Sequence, residues 1–184
     1  MFLELMGKIA NKLDDNGIPY MVIGGQAVLF HGEPRFTRDI DITLGIGIKE
    51  LDVIYCLLDD LKLRILVENP GEFVETTMVL PVIDGDTGMR VDFIFSFTDF
   101  ERSAVKRAVE VSTNAGKIRF AAVEDLIIHK VFSGRARDIE DARSIILKNP
   151  TFDIEHVKHW LEKFDDELCE DFSMRFDEIL KSID

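Results

Sequence analysis

Tyr20-Met21-Val22-Ile23-Gly24-Gly25-Gln26-Ala27-Val28-Leu29-Phe30-His31-Gly32 is the stretch from which the fold follows. Four consecutive strand-favouring residues run straight into a glycine pair, the pattern of a short buried strand ending in a tight turn. Gln26 to His31 then reads as a short helix stopped by Gly32. Working outward, Thr37 to Leu44 alternates: Ile40, Ile42 and Leu44 share one face, and Asp39, Asp41 and Thr43 share the other, as in a half-buried strand. Upstream, Phe2, Met6, Ile9 and Leu13 recur at helical spacing, and Asn16-Gly17 with Pro19 supplies a stop.

The pattern continues in both directions of the sheet. Leu51, Ile54, Tyr55 and Leu58 mark a helix; Arg64 to Val67 and Val74 to Val82 read as extended. Asp84 to Gly88 is a turn leading into a strand over Arg90 to Phe97, with Val91, Phe93, Phe95 and Phe97 inward. From Asp99 the chain turns helical: Phe100 to Val109, a short strand at Ile118 to Phe120, then helices over Val123 to Phe132 and Asp138 to Leu147, and two acidic helices. Asn149-Pro150 is the boundary signal, giving a core over residues 1–149 and an acidic helical C-terminal extension over 150–184 packed on it. Internal repeats and low-complexity segments are absent, and the fold class is α/β (α+β).

With 184 residues, 46% hydrophobic and 31% charged, the chain has the composition of about one globular domain, which excludes disordered, collagen-like and disulfide-scaffold classes. Its net charge is −13, of which residues 151–184 hold −7, from four basic and eleven acidic side chains. Such a balance disfavours a broad, unspecific nucleic-acid binder, while Arg35, Arg38, Lys130, Arg135 and Arg137 leave room for a local basic patch. Cys56 and Cys169 belong to no Cys-x-x-Cys pair and follow no secretory signal, since Met1 to Asp15 is amphipathic and carries Glu4, Asp14 and Asp15. The longest apolar run, Tyr20 to Phe30, is broken by Gly24, Gly25 and Gln26. The expectation is a soluble, cytoplasmic protein with reduced thiols and no membrane partner.

Asp39 and Asp41 project from one strand face about 6–7 Å apart, where two carboxylates repel by about 2–3 kcal/mol at an effective dielectric near 20. Mg²⁺ offsets such a cost, because it takes oxygen ligands from one or two carboxylates plus substrate phosphates. Asp92, set between Val91 and Phe93, must find a partner or a metal; if its strand lies beside that of Asp39 and Asp41, three acids can hold two ions and serve an in-line phosphoryl or nucleotidyl transfer. Gly24-Gly25 can offer bare backbone N–H groups and a helix N-terminus to a triphosphate. Each part also has an ordinary reading: a tight turn, a solvated strand face, and a salt bridge from Arg90 to Asp92. Asp84-Gly85-Asp86 is too incomplete for a calcium loop, no P-loop is present, and His156 and His159 read as a solvated helix face.

Gly24-Gly25, thirteen intervening residues, Asp39-Ile40-Asp41 and a later strand Asp92 together resemble the signature of the DNA polymerase β-like nucleotidyltransferase superfamily. The fuller run from Gly24 to Gly32 with Arg35, Thr37 and Asp39-Ile40-Asp41 is most similar to the abortive-infection toxin type and related bacterial branches. The resemblance implies a minimal nucleotidyltransferase fold, a mixed twisted sheet flanked by helices, that uses an NTP and two Mg²⁺ ions, or Mn²⁺. By that likeness Asp39, Asp41 and Asp92 ligate the metals and form the catalytic set, with Asp92 helping to activate the acceptor, and Gly24 and Gly25 face the β- and γ-phosphates. Glu124 to Lys130 and Ser133 to Asp138 are similar to the helix and loop after the core in those branches, which gives Lys130 a triphosphate contact and Asp138 a supporting role. Arg38 is counted with the nucleotide-binding residues. Gln26 departs from the Gly-Ser found in many members, leaving phosphate contact to backbone and basic side chains. The implied partners are an NTP and an acceptor hydroxyl on a nucleic-acid end, a protein or a small molecule, with a partner protein or homodimer. The alternative is a non-catalytic nucleotide- or partner-binding module, as in a toxin–antitoxin component.

Overall fold

The computed structural model describes residues 2–33 and 37–183; Arg35, quoted above with the motif, lies outside the described residues. The chain divides into two compact units, Met1–Gln26 with Phe36–Ala121, and Ala27–Arg35 with Ala122–Asp184. Asn149-Pro150 therefore falls inside the second unit.

The first unit is built on a mixed sheet. Its strands are β1 (Tyr20–Ile23), β2 (Asp39–Leu44), β3 (Leu63–Ile65), β4 (Val79–Asp84), β5 (Arg90–Phe95), β6 (Val109–Thr113) and β7 (Gly116–Phe120), in the order β3-β4-β5-β2-β1-β7-β6. β2 pairs in parallel with β5 and antiparallel with β1, so the two acid-bearing strands are neighbours at the centre. The alternation of β2 and β5 gives each strand one apolar face: Ile40, Ile42, Leu44, Val91, Phe93 and Phe95 are all at most 1% exposed, and each large side chain so buried contributes about 1.5–3 kcal/mol. That apolar face fixes the register, and the polar face follows from it.

Helices α1 (Phe2–Asp15), α3 (Leu51–Leu61), α4 (Pro70–Thr77) and α5 (Asp99–Arg107) belong to the same unit. α1 buries Leu5, Met6, Ile9 and Leu13, and stops at Gly17, whose φ of +66° only glycine takes at little cost. α5 opens with a capping box, in which the Thr98 hydroxyl accepts from Glu101 N–H and the Glu101 carboxylate accepts from Thr98 N–H.

Three expectations need correction. The stretch from Val74 is not extended; Val74 is buried within α4, which starts with Pro70 in its first turn and ends at Met78. One inward residue in eight gives no helical period for a sequence pattern to register. Phe97 is 59% exposed, because β5 ends at Phe95 and the Phe97 N–H turns to the Glu101 carboxylate at 2.9 Å to begin α5. The helix expected to reach Val109 ends at Arg107, and Val109–Thr113 forms the edge strand β6, paired to β7 and crossed by the Lys117–Glu110 ion pair.

The second unit holds α6 (Val123–Ser133), α7 (Ala136–Lys148), α8 (Ile154–Leu168) and α9 (Phe172–Lys181), with the C-terminal part of α2 (Gly24–His31). Lys148 Nζ donates to Gly32 O at 2.8 Å and Asn149 Nδ2 to His31 O at 2.9 Å, tying α7 to the end of α2. Phe132 stacks on Phe172 at 4.9 Å and meets Phe164 edge-on at 5.4 Å, so the aromatic residues of the acidic tail pack helices together. Among the described residues, no helix is long and apolar enough to cross a membrane.

Candidate active site

Parallel pairing sets Asp39 opposite Arg90 and Asp41 opposite Asp92. Paired residues of neighbouring strands lie about 4.8 Å apart and point to the same face, so Asp39, Asp41, Asp92 and Arg90 form a square of charges on the polar side of the sheet. The three carboxylates expected to converge are thus brought together by the register of two strands. Arg90 senses all of them: its hydrogen bond to Asp92 first, opposed by partial burial, and then the fields of Asp92, Asp39 and Asp41 raise its pKa above the ordinary arginine value.

The glycine turn meets the same square. β1 pairs Ile23 with Asp41, so the next residue, Gly24, begins α2 directly over that carboxylate. Gly24 has φ +62°, and a Cβ there would lie 2.8 Å from Asp41 Cγ and closer still to Oδ2. Glycine is therefore required twice, for backbone conformation and for the closeness of the acid. Gly25 is the next residue of α2, in its first turn.

Thr37 and Gln26 both hold Asp39. The Thr37 hydroxyl donates to Asp39 Oδ1 at 3.0 Å, and Gln26 Nε2 reaches Asp39 O at 3.4 Å. Thr37 and Gln26 stood in the motif without a role; a hydroxyl two residues before an acid and an amide at the start of the helix are signals too common to stand out. Asp92 is 16% exposed, and its Oδ1 accepts from Arg90 Nε at 2.9 Å, so the salt bridge weighed against a metal role is present. Arg38 is exposed.

Inside the second unit, Lys130 and Asp138 belong to one buried cluster. Lys130 Nζ lies 2.8 Å from Asp138 Oδ1 and 2.9 Å from Asp141 Oδ2, with all three side chains at most 8% exposed. Asp138 Oδ2 also accepts from Ser133 Oγ at 2.8 Å and Arg135 Nε at 2.6 Å. Burial alone raises the Asp138 pKa, but the hydrogen bonds from Lys130, Arg135 and Ser133 outweigh it and hold the carboxyl below its ordinary value. Asp141 had no place in the sequence reading, although it lies one helical turn from Asp138 on α7. Next to Lys130, burial and then the lysine charge push the His129 imidazole down to about 4.

Among the described residues, no three His, Cys, Asp or Glu side chains form a ready-made metal cage. The donor set nevertheless fits Mg²⁺, which is seldom held by an all-protein cage and completes its shell with water and substrate phosphates. Asp39, Asp41 and Asp92 would hold it, and the bound ion would supply charge stabilisation to a transferring phosphoryl group.

Residues 2–183 match the family described as a nucleotidyltransferase of unknown function, DUF6036. The chain belongs to that family. The nucleotidyltransferase resemblance carried by Gly24-Gly25 and Asp39-Ile40-Asp41 is borne out, and with it the enzyme class. A comparison with curated proteins finds no match. Among solved structures, the chain is similar in fold to the antibiotic-resistance factor ANT(2'')-Ia, with a TM-score of 0.62 at 16% identity over 91% of this chain and 92% of that one. It is similar to an antigenic nucleotidyltransferase-like protein from Paracoccidioides brasiliensis, TM-score 0.55, 17% identity, 94% and 91% covered. It is also similar to the lincosamide antibiotic adenylyltransferase LnuA, TM-score 0.51, 16% identity, 74% and 91% covered.

Proposed function

We propose that the chain is a metal-dependent enzyme that transfers a nucleoside monophosphate from an NTP to an acceptor hydroxyl and releases pyrophosphate. The observation that carries the reading is the closeness of the Gly24 turn to Asp41, itself in register with Asp92. A backbone without side chains beside a carboxylate face is what a triphosphate and its cations need together: N–H groups for the phosphate oxygens, oxygen ligands for the ions. In the reaction the acceptor oxygen bonds to the α-phosphorus as the bond to the β-phosphate oxygen breaks, and Asp92 draws the hydroxyl proton. Asp39, Asp41 and Asp92 are the metal ligands of this proposal, and Gly24, Gly25 and Arg38 its nucleotide contacts. Lys130 and Asp138 enter it through the family resemblance, alongside the structural role their buried cluster gives them.

For the acceptor, a small-molecule hydroxyl is the class to assay first. ANT(2'')-Ia has been seen with adenylyl-2''-tobramycin and LnuA with lincomycin, and a net charge of −13 disfavours a long polyanion. Thermal melting tests the reading: Mg²⁺ plus an NTP raises the midpoint of the wild type, and Asp41→Asn abolishes the rise. A midpoint that ignores Mg²⁺ and every NTP contradicts it. A rise with no turnover on any acceptor describes a nucleotide-binding module instead.

A further inference from the structure

Arg90 is the one basic member of the charge square, set opposite Asp39 and two residues before Asp92 on the same face of β5. Its Nε–H donates to Asp92 Oδ1 at 2.9 Å, while the arginine side chain is 54% exposed and Asp92 only 16%. Three acids and one base leave the square at −2, where the acids alone would stand at −3. The guanidinium thus occupies one oxygen of the very carboxylate assigned to the metal, and a divalent ion on that carboxylate would feel the arginine's charge a few ångströms away. Half-exposed arginine–carboxylate pairs are weak and have water to turn into, so the bond is exchangeable.

We propose that Arg90 is the resident counter-cation of the carboxylate face, holding Asp92 while no divalent ion is bound and releasing it when one binds. The inference rests on the metal-dependent reading above and assigns the arginine a positioning role within it. Removing its charge relieves the repulsion between like charges that a bound ion would feel, and at the same time takes from Asp92 the guanidinium that holds it when no ion is present. Metal affinity and metal-free stability therefore move in opposite directions on substitution. One positive charge about 6 Å from a divalent ion in a water-like dielectric corresponds to a change in affinity of about tenfold.

The test uses the whole chain and Mn²⁺ alone, without nucleotide, following free Mn²⁺ by electron paramagnetic resonance, with melting measured in EDTA and at saturating Mn²⁺. Arg90→Gln binds Mn²⁺ about tenfold tighter than wild type, melts lower in EDTA, and regains the difference at saturation; Arg90→Lys, which keeps the charge, stays within about twofold of wild type. Arg90→Met, which keeps the aliphatic stem, takes the place of Arg90→Gln if the latter does not fold. Wild-type binding with equal or weaker binding by the uncharged variant overturns the role of Arg90 and leaves the proposed function standing. Wild-type binding no stronger than that of Asp41→Asn overturns the role of Arg90, and if a saturating NTP does not restore a difference between the two proteins it overturns the proposed function as well.

Discussion

Gly24→Ala is the substitution with the most specific consequence. At φ +62° an alanine pays about 1 kcal/mol of backbone strain, as it would at Gly17, where φ is +66° and nothing lies within 4 Å of the added methyl. At Gly24 the methyl must also displace the Asp41 carboxylate, whose Cγ would stand 2.8 Å away, an overpacking cost of about 1–3 kcal/mol. Gly24→Ala is therefore expected to cost about 2–4 kcal/mol, and Gly17→Ala about 1. In an Asp41→Ala background the clash is absent and Gly24→Ala falls back to the strain alone, so the double-mutant cycle returns a coupling of about 1–3 kcal/mol. Urea unfolding of the four proteins at constant m-value measures it. A cost for Gly24→Ala that is the same with and without the Asp41 carboxylate, or equal to that of Gly17→Ala, refutes the contact on which the proposed phosphate turn depends.

Lys130→Met leaves Asp138 and Asp141 buried without their lysine and is expected to cost about 3–5 kcal/mol in urea unfolding, whereas loss of the exposed partner in the Lys163–Glu167 pair costs less than about 1; comparable costs would contradict the buried cluster. His129, at about 4 in the fold against 6.5 when unfolded, stays neutral while the unfolded chain takes up a proton, so its contribution is complete above pH 6.5 and is lost as the pH falls from there to about 4, by about 3 kcal/mol. Unfolding measured at pH 7, 5.5 and 4.5 should show that loss in wild type and a flatter slope in His129→Leu; parallel slopes would contradict it. Thr98→Ala removes the capping box of α5 and is expected to cost about 1 kcal/mol, and no change in the urea midpoint would count against the cap.

The elements that place the acids were legible because their side chains obey a simple period. Ile40, Ile42 and Leu44 against Asp39, Asp41 and Thr43, and Val91, Phe93 and Phe95 against Asp92, each define a strand with one apolar face, and burial of that face leaves the acids nowhere but the other. The adjacency of β2 and β5 was not written in either strand; it is a tertiary choice, which the sequence reading could only pose as a condition. α4 and β6 escaped for a local reason: one has a single inward residue, and the other is a half-exposed edge. Asp141 escaped because the partner of a buried lysine is set by the crossing of α6 and α7, not by spacing along the chain. Thr37 and Gln26 were visible as residues, but a hydroxyl two positions from an acid makes its contact in only some local conformations, and the Gln26 amide meets Asp39 O only through the tertiary fold.

Incubation with an NTP labelled at the α-phosphate, Mg²⁺, and separate pools of small hydroxylated molecules, RNA and protein asks directly whether this carboxylate face performs transfer. Label joined to one pool with one pyrophosphate released per label, lost on chelation and in Asp41→Asn, is the expected result. Label that joins no pool under Mg²⁺ or Mn²⁺, or joins one equally well with Asp41→Asn, would contradict it.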